Sequence, residues 1–130
     1  PLWGVYYDLK VIKKGKMNTN FVVINKANEL YDYSFRYILN SLKGKGNTFR
    51  NSLENELYEL IHNIYRANIN YDNDRIRKKY QKECLVNIST LDLIIGLIGK
   101  RRYIKIKRVH AFLNILNDEK KLLMGWFKEK

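Results

Sequence analysis

The sequence predicts an all-α fold, an antiparallel up-down-up-down four-helix bundle, and three observations predict it. After position 20 the apolar residues recur at three- and four-residue steps, the spacing of one helix face, rather than alternating as in a strand. The only proline stands at position 1, so no later element is interrupted by one. Short breaks rich in Gly, Asn or charge separate four long periodic segments, and short connections make neighbouring helices antiparallel. At 130 residues the chain has room for one such core and not two.

The first helix is expected over about 22–41, with Val23, Ala27, Leu30, Ser34 and Ile38 on one face. LKGKGNT ends it, and Asn47 or Thr48 is the expected N-cap of a second helix over about 49–68. That helix carries Leu53, Leu57, Leu60, Ile61 and Ile64 as its stripe. NINYDND is the next break, with Asp72 or Asp74 as N-cap of a third helix running to about Ile98. Its stripe is Ile76, Tyr80, Cys84, Ile88, Leu91, Ile95 and Ile98, while Leu85, Val86, Leu93, Ile94 and Leu97 make its other sides apolar too. A helix apolar nearly all round is central or shared with another subunit, so a homo-oligomer is expected. The fourth helix, about 105–128, has Val109, Phe112, Leu113, Leu116, Leu123 and Phe127 on one stripe and Ile115, Leu122 and Trp126 beside it.

Residues 1–16, PLWGVYYDLKVIKKGK, do not share this pattern and are read as an N-terminal extension to a bundle domain over 17–130. Lys-Lys-Gly-Lys just before Met17 would be encoded by purine-rich codons, as a ribosome-binding site is. Met17 is therefore the expected original start, and the extension is expected to be upstream, non-native sequence.

Charge is the strongest functional signal. Twenty-five Lys and Arg against 13 Asp and Glu leave a net +12, an excess that points to nucleic acid or an anionic membrane surface. The membrane reading is excluded because the apolar helix faces are already used by the bundle. The longest greasy run, 85–99, is also too short to span a bilayer and contains Asp92. In KRRYIKIKR, Lys100 to Arg108, six of nine positions are basic. An up-down bundle puts its first and third loops at one pole, joining Lys43, Lys45 and Arg50 to Lys100, Arg101, Arg102, Lys105, Lys107 and Arg108. No acid occurs in 33–53 or 93–117, so nine cations would share an acid-free end. Phosphate neutralisation by such a patch supplies nonspecific affinity, and Tyr103 among the cations offers a ring to an unpaired base. Arg75, Arg77, Lys78, Lys79 and Lys82 form a second candidate patch at the opposite pole, close to Asp72 and Asp74.

Enzymatic readings are weak. Cys84 is alone and falls on the apolar stripe, which fits core packing, a reducing cytoplasm and no disulfide framework. With only His62 and His110 beside it, no metal site is expected, and no cofactor or catalytic grouping is read from the chain. Glu54, Glu56 and Glu59 read as surface charges near a helix N-terminus. No basic n-region followed by an apolar stretch opens the chain, so a soluble, cytoplasmic protein is expected.

IYRANINY at 64–71, RKKYQKECLVNISTLDLI at 77–94 and KLLMGWFK at 121–128 together resemble the Avd-like family. These are bacterial four-helix bundle proteins related to the accessory variability determinant of diversity-generating retroelements. The resemblance covers about Asn25 to Lys128 and rests on the order and spacing of the segments. It implies a non-enzymatic, bacterial or phage-encoded bundle that assembles into a ring-like homopentamer. Its implied partners are a reverse transcriptase and template RNA or cDNA, in support of mutagenic retrohoming. Relatives encoded in 23S rRNA intervening sequences imply the alternative, a stand-alone nucleic-acid-binding bundle.

Residue by residue, the resemblance makes Gly125 and Trp126 a close-packing pair. It makes Arg66, Ala67 and Asn68 structural, and Asp92 a buried acid that needs a partner. Helical RNases of the HEPN type are the best enzymatic alternative, but they place His four to six residues after an Arg. Here seven residues separate Arg102 from His110 and one separates Arg108 from it.

Overall fold

A computed structural model describes residues 19–44 and 46–129; the extension over 1–16, the expected start at Met17 and the loop residue Lys45 lie outside the described residues. Among the described residues every regular element is helical: α1 Thr19–Tyr37, α2 Asn47–Ile69, α3 Asp74–Lys100 and α4 Ile106–Lys128, with a 3₁₀ turn over Leu39–Leu42. Each helix packs on the next and α4 closes against α1, so the four form a ring around one core. Their antiparallel sense shows in cross-bundle pairs. Tyr33 near the end of α1 donates to the carbonyl of Arg108 near the start of α4. Lys78 near the start of α3 likewise reaches the carbonyl of Phe127 at the end of α4.

The core is made by the expected stripes. Val23, Leu30, Leu53, Leu57, Ile64, Leu91, Ile95, Phe112 and Leu123 are wholly buried, each burial favourable by roughly 1.5–3 kcal/mol relative to exposure in water. Ser34, also buried, satisfies its hydroxyl on the Leu30 carbonyl one turn back at 2.8 Å.

Several local expectations are corrected. α1 ends at Tyr37, not near 41, because Leu39 and Leu42 both turn inward and the tighter 3₁₀ turn lets them cover the end of the core. The N-cap of α3 is Asn73, whose side chain accepts from the Ile76 amide at 3.1 Å, rather than Asp72 or Asp74. Asp74 instead pairs with Arg77 inside the first turn. α2 is entered from Gly46, not capped by Asn47 or Thr48; Asn47 turns back to accept from the Gly44 amide at 3.1 Å. A Cβ at Gly46 would stand 2.8 Å from the Leu42 carbonyl oxygen, which reserves the position for glycine.

On α3, Ile76 is exposed and Tyr80 only half-buried, so the stripe meets the core from Cys84 onward. Val86 and Leu93 are each 63% exposed on its outer side. Asp92 is exposed, contrary to its expected burial, so it needs no partner other than water. The buried acid is Glu119 of α4, which the helical spacing Phe112, Leu116, Glu119, Leu123 turns inward. Among the described residues nothing lies within 4 Å of where a Gly125 Cβ would be.

Candidate nucleic-acid interface

The two loops on which the charge converges are shaped differently. After the 3₁₀ turn the chain passes Lys43 and Gly44, the latter at φ +85°, before rising into α2. The α3–α4 loop begins with a left-handed residue that is not glycine: Arg102, at φ 59°. Its amide donates to the Gly99 carbonyl at 3.0 Å, and the Tyr103 amide to that of Ile98 at 3.3 Å. This is the paired ending of a Schellman motif, whose left-handed position glycine usually fills. Ile104 then plugs the core, and Lys105, in extended conformation, leads into α4. α4 has neither a side-chain cap nor an acid in its first turn, so the positive end of its dipole is left uncompensated by its own side chains.

The loops meet. Arg108 Nη1 donates to the Tyr37 carbonyl at 3.0 Å and the Ser41 hydroxyl at 3.2 Å, with the guanidinium 5.8 Å from the Tyr37 ring centroid. Arg101 stands 5.5 Å from the Phe49 ring centroid, and Phe49 meets Tyr103 edge-on at 6.0 Å. The Tyr103 ring thus half-covers the bundle end and stays partly exposed beside the cations. Burial raises the Tyr33 hydroxyl above its usual pKa; Arg108 pulls it back and Tyr37 adds to the rise.

Lys43, Lys100, Arg101, Arg102, Lys105 and Lys107 are exposed here, with Arg50 and Arg108 half-buried. Among the described residues none of these eight is in an ion pair, and Arg50 Nε is buried without an acceptor. Between the 3₁₀ turn and the α3–α4 loop lies a notch of about 600 Å³, with Gly99, Tyr103, Ile104 and Ile106 among its walls and Arg102, Lys105 and Arg108 around them. Ser41, Gly99 and Ile106 escaped sequence reasoning; their only signal is adjacency to the two basic segments.

The second candidate patch is less available than its charge suggests. Arg77 is held by Asp74, and Lys78 donates to the Phe127 carbonyl at 2.6 Å with its ammonium 4.7 Å from that ring's centroid. Arg75, Lys79 and Lys82 remain exposed along a shallow groove with Glu83 and Val86.

The groups weighed for catalysis or metal binding stand as follows. His62 and His110 are exposed, His62 beside the Tyr58 ring at 6.0 Å. Cys84 is buried, and burial, then Glu119 and Glu83, push its thiol far above the usual range, which makes it inert near neutral pH. No group of three or more His, Cys, Asp or Glu that could hold a metal occurs among the described residues. Glu56 is not a plain surface charge: it accepts from Asn87 of α3 at 2.7 Å. No described helix is long and apolar enough to cross a membrane.

No protein-family model, curated protein or solved structure matches this chain.

Proposed function

We propose that this protein is a basic, non-enzymatic four-helix bundle that binds nucleic acid through the end carrying the α1–α2 and α3–α4 loops. One observation carries the reading: two acid-free basic segments, far apart in sequence, meet at that end through Arg108, Tyr37 and Ser41. Affinity of this kind comes from counterion release, so it falls with salt and carries little sequence preference. The resemblance to Avd-like proteins gives the finer form: an accessory to the reverse transcriptase of a diversity-generating retroelement, holding template RNA or cDNA as a ring-like homopentamer. The exposed Val86, Leu93 and Leu97 on the outer side of α3 support assembly, since apolar side chains of that size gain by being covered.

The test is titration of labelled RNA at several salt concentrations against two triple variants. Replacing Lys100, Arg101 and Arg102 with Gln is expected to weaken binding and flatten the log–log salt slope by roughly 0.7–0.9 for each phosphate no longer neutralised. Replacing Arg75, Lys79 and Lys82 is expected to do less. The reverse ranking would move the interface to the other pole. A reverse transcriptase gene beside a template–variable repeat pair supports the accessory role; RNA binding without such a neighbour favours the stand-alone bundle of the rRNA intervening-sequence type. Light scattering that gives a 15.6 kDa particle at micromolar concentration would end the oligomer.

A further inference from the structure

The notch between Ser41 and the α3–α4 loop joins two chemistries that a plain phosphate surface does not need to combine. Its basic side is Arg102, Lys105 and Arg108, reinforced by the uncapped start of α4. Arg108 is fixed there by the Tyr37 carbonyl and the Ser41 hydroxyl, so one cation of the rim is already positioned. Its apolar side is Ile106, 62% exposed, together with the half-buried ring of Tyr103 and the nearly buried Ile104. At about 600 Å³ it falls within the ~300–1,000 Å³ range of small-ligand sites.

A rim of cations alone suits any polyanion. The apolar wall gains nothing from a phosphate, and in a duplex the base faces are stacked on one another and out of its reach. An unpaired nucleotide presents both chemistries on one residue: a phosphate for the rim and a flat, poorly hydrated base for the wall. We infer that this notch seats one unpaired nucleotide of a single strand, with its phosphate on Arg102, Lys105 and Arg108 and its base against Ile106 and Tyr103. The inference rests on the nucleic-acid reading above and deepens it, because it makes the single strand the ligand and the duplex the poorer competitor.

The experiment compares short labelled oligo(dT) and oligo(U) strands with a duplex of the same length, by fluorescence anisotropy at one salt concentration. Wild type, Ile106→Ser and Arg102→Gln are measured side by side, with far-UV circular dichroism to establish that each is folded. Ile106 is mostly exposed, so its replacement spares the core. Both strands are expected to bind more tightly than the duplex. Ile106→Ser should weaken strand binding about fivefold, the equivalent of ~40 Å² of apolar contact, and leave duplex binding unchanged. Arg102→Gln should weaken binding of strand and duplex alike. Equal affinity for strand and duplex, or strand binding untouched by Ile106→Ser while Arg102→Gln lowers it, overturns the nucleotide seat and leaves a phosphate surface. Failure of every probe to bind wild type removes the nucleic-acid reading and the seat together.

Discussion

Asn63 Nδ2 donates to Asn87 Oδ1 at 2.8 Å inside the seam between α2 and α3, where both side chains are buried. The chain of bonds continues in both directions. Arg66 Nη1 donates to Asn63 Oδ1 at 3.0 Å, and Asn87 Nδ2 donates to Glu56 Oε2 at 2.7 Å. A half-buried cation and a half-buried carboxylate are thus joined through two amides, and the charged group behind each amide fixes which way it faces. A one-turn slip of α2 along α3 would break both links that cross it, Asn63 to Asn87 and Asn87 to Glu56, so the chain sets the register of that seam.

Asn87→Ala strands the buried Asn63 donor and should cost about 2–3 kcal/mol in urea unfolding. Replacing Asn63 and Asn87 together with Leu should cost less than the sum of the single changes, since no amide is then left unpaired. Strictly additive costs would show that the two side chains are not coupled.

Arg102 supplies a separable effect on stability and binding. Its left-handed backbone, at φ 59°, is a conformation glycine adopts without strain. Arg102→Gly should therefore raise unfolding stability by about 0.5–1 kcal/mol while weakening nucleic-acid binding. A destabilised variant would contradict the strain argument.

Lys78 ties the start of α3 to the last turn of α4 through the Phe127 carbonyl. Lys78→Met keeps the stem but removes the ammonium from a helix C-terminus, and should cost about 1 kcal/mol. Lys79→Gln and Lys82→Gln, at exposed positions of the same helix, should stay within about 0.5 kcal/mol of wild type. Equal losses at all three positions, measured by thermal unfolding, would argue against the cap.

Glu119 makes stability depend on pH. Its carboxylate is fully buried and neither oxygen is hydrogen-bonded among the described residues; burial pushes its pKa well above the usual carboxylate range, and Lys26 pulls it only partly back. The folded chain therefore keeps this proton at pH values where the unfolded chain has lost it. The stabilising contribution is full below the ordinary carboxylate range and declines as pH rises from there toward the raised folded value. Glu119→Gln should flatten the decline and leave the acid-side plateau. An unchanged pH profile in denaturant melts would show that Glu119 is not its source.

The helices were legible because apolar positions such as Leu53, Leu57, Leu60, Ile61 and Ile64 recur at three- and four-residue steps that only a helix turns to one side. The end of α1 was not, since Leu39 and Leu42 are as apolar in a 3₁₀ turn as in a continued helix. Glu119 was hidden by its neighbours in NDEKK, although its three- and four-residue distances from Leu116 and Leu123 already placed it on the inner stripe. Charge at the candidate interface was legible from composition and loop topology. The notch was not, because it depends on the hand of one backbone angle at Arg102 and on where Ser41 meets Arg108.

That meeting also places the cationic end in the order of assembly. Tyr33 and Arg108 are joined across 75 residues of sequence, so their contact closes one of the longest loops in the bundle. Docking α4 on α1 brings the two basic segments together and with them their mutual repulsion, which opposes the closing step. A polyanion bound across both loops neutralises that repulsion and favours the closed ring by mass action. Ligand and fold are then coupled: heparin or nucleic acid should raise the melting temperature most at low salt, where the unrelieved repulsion is strongest.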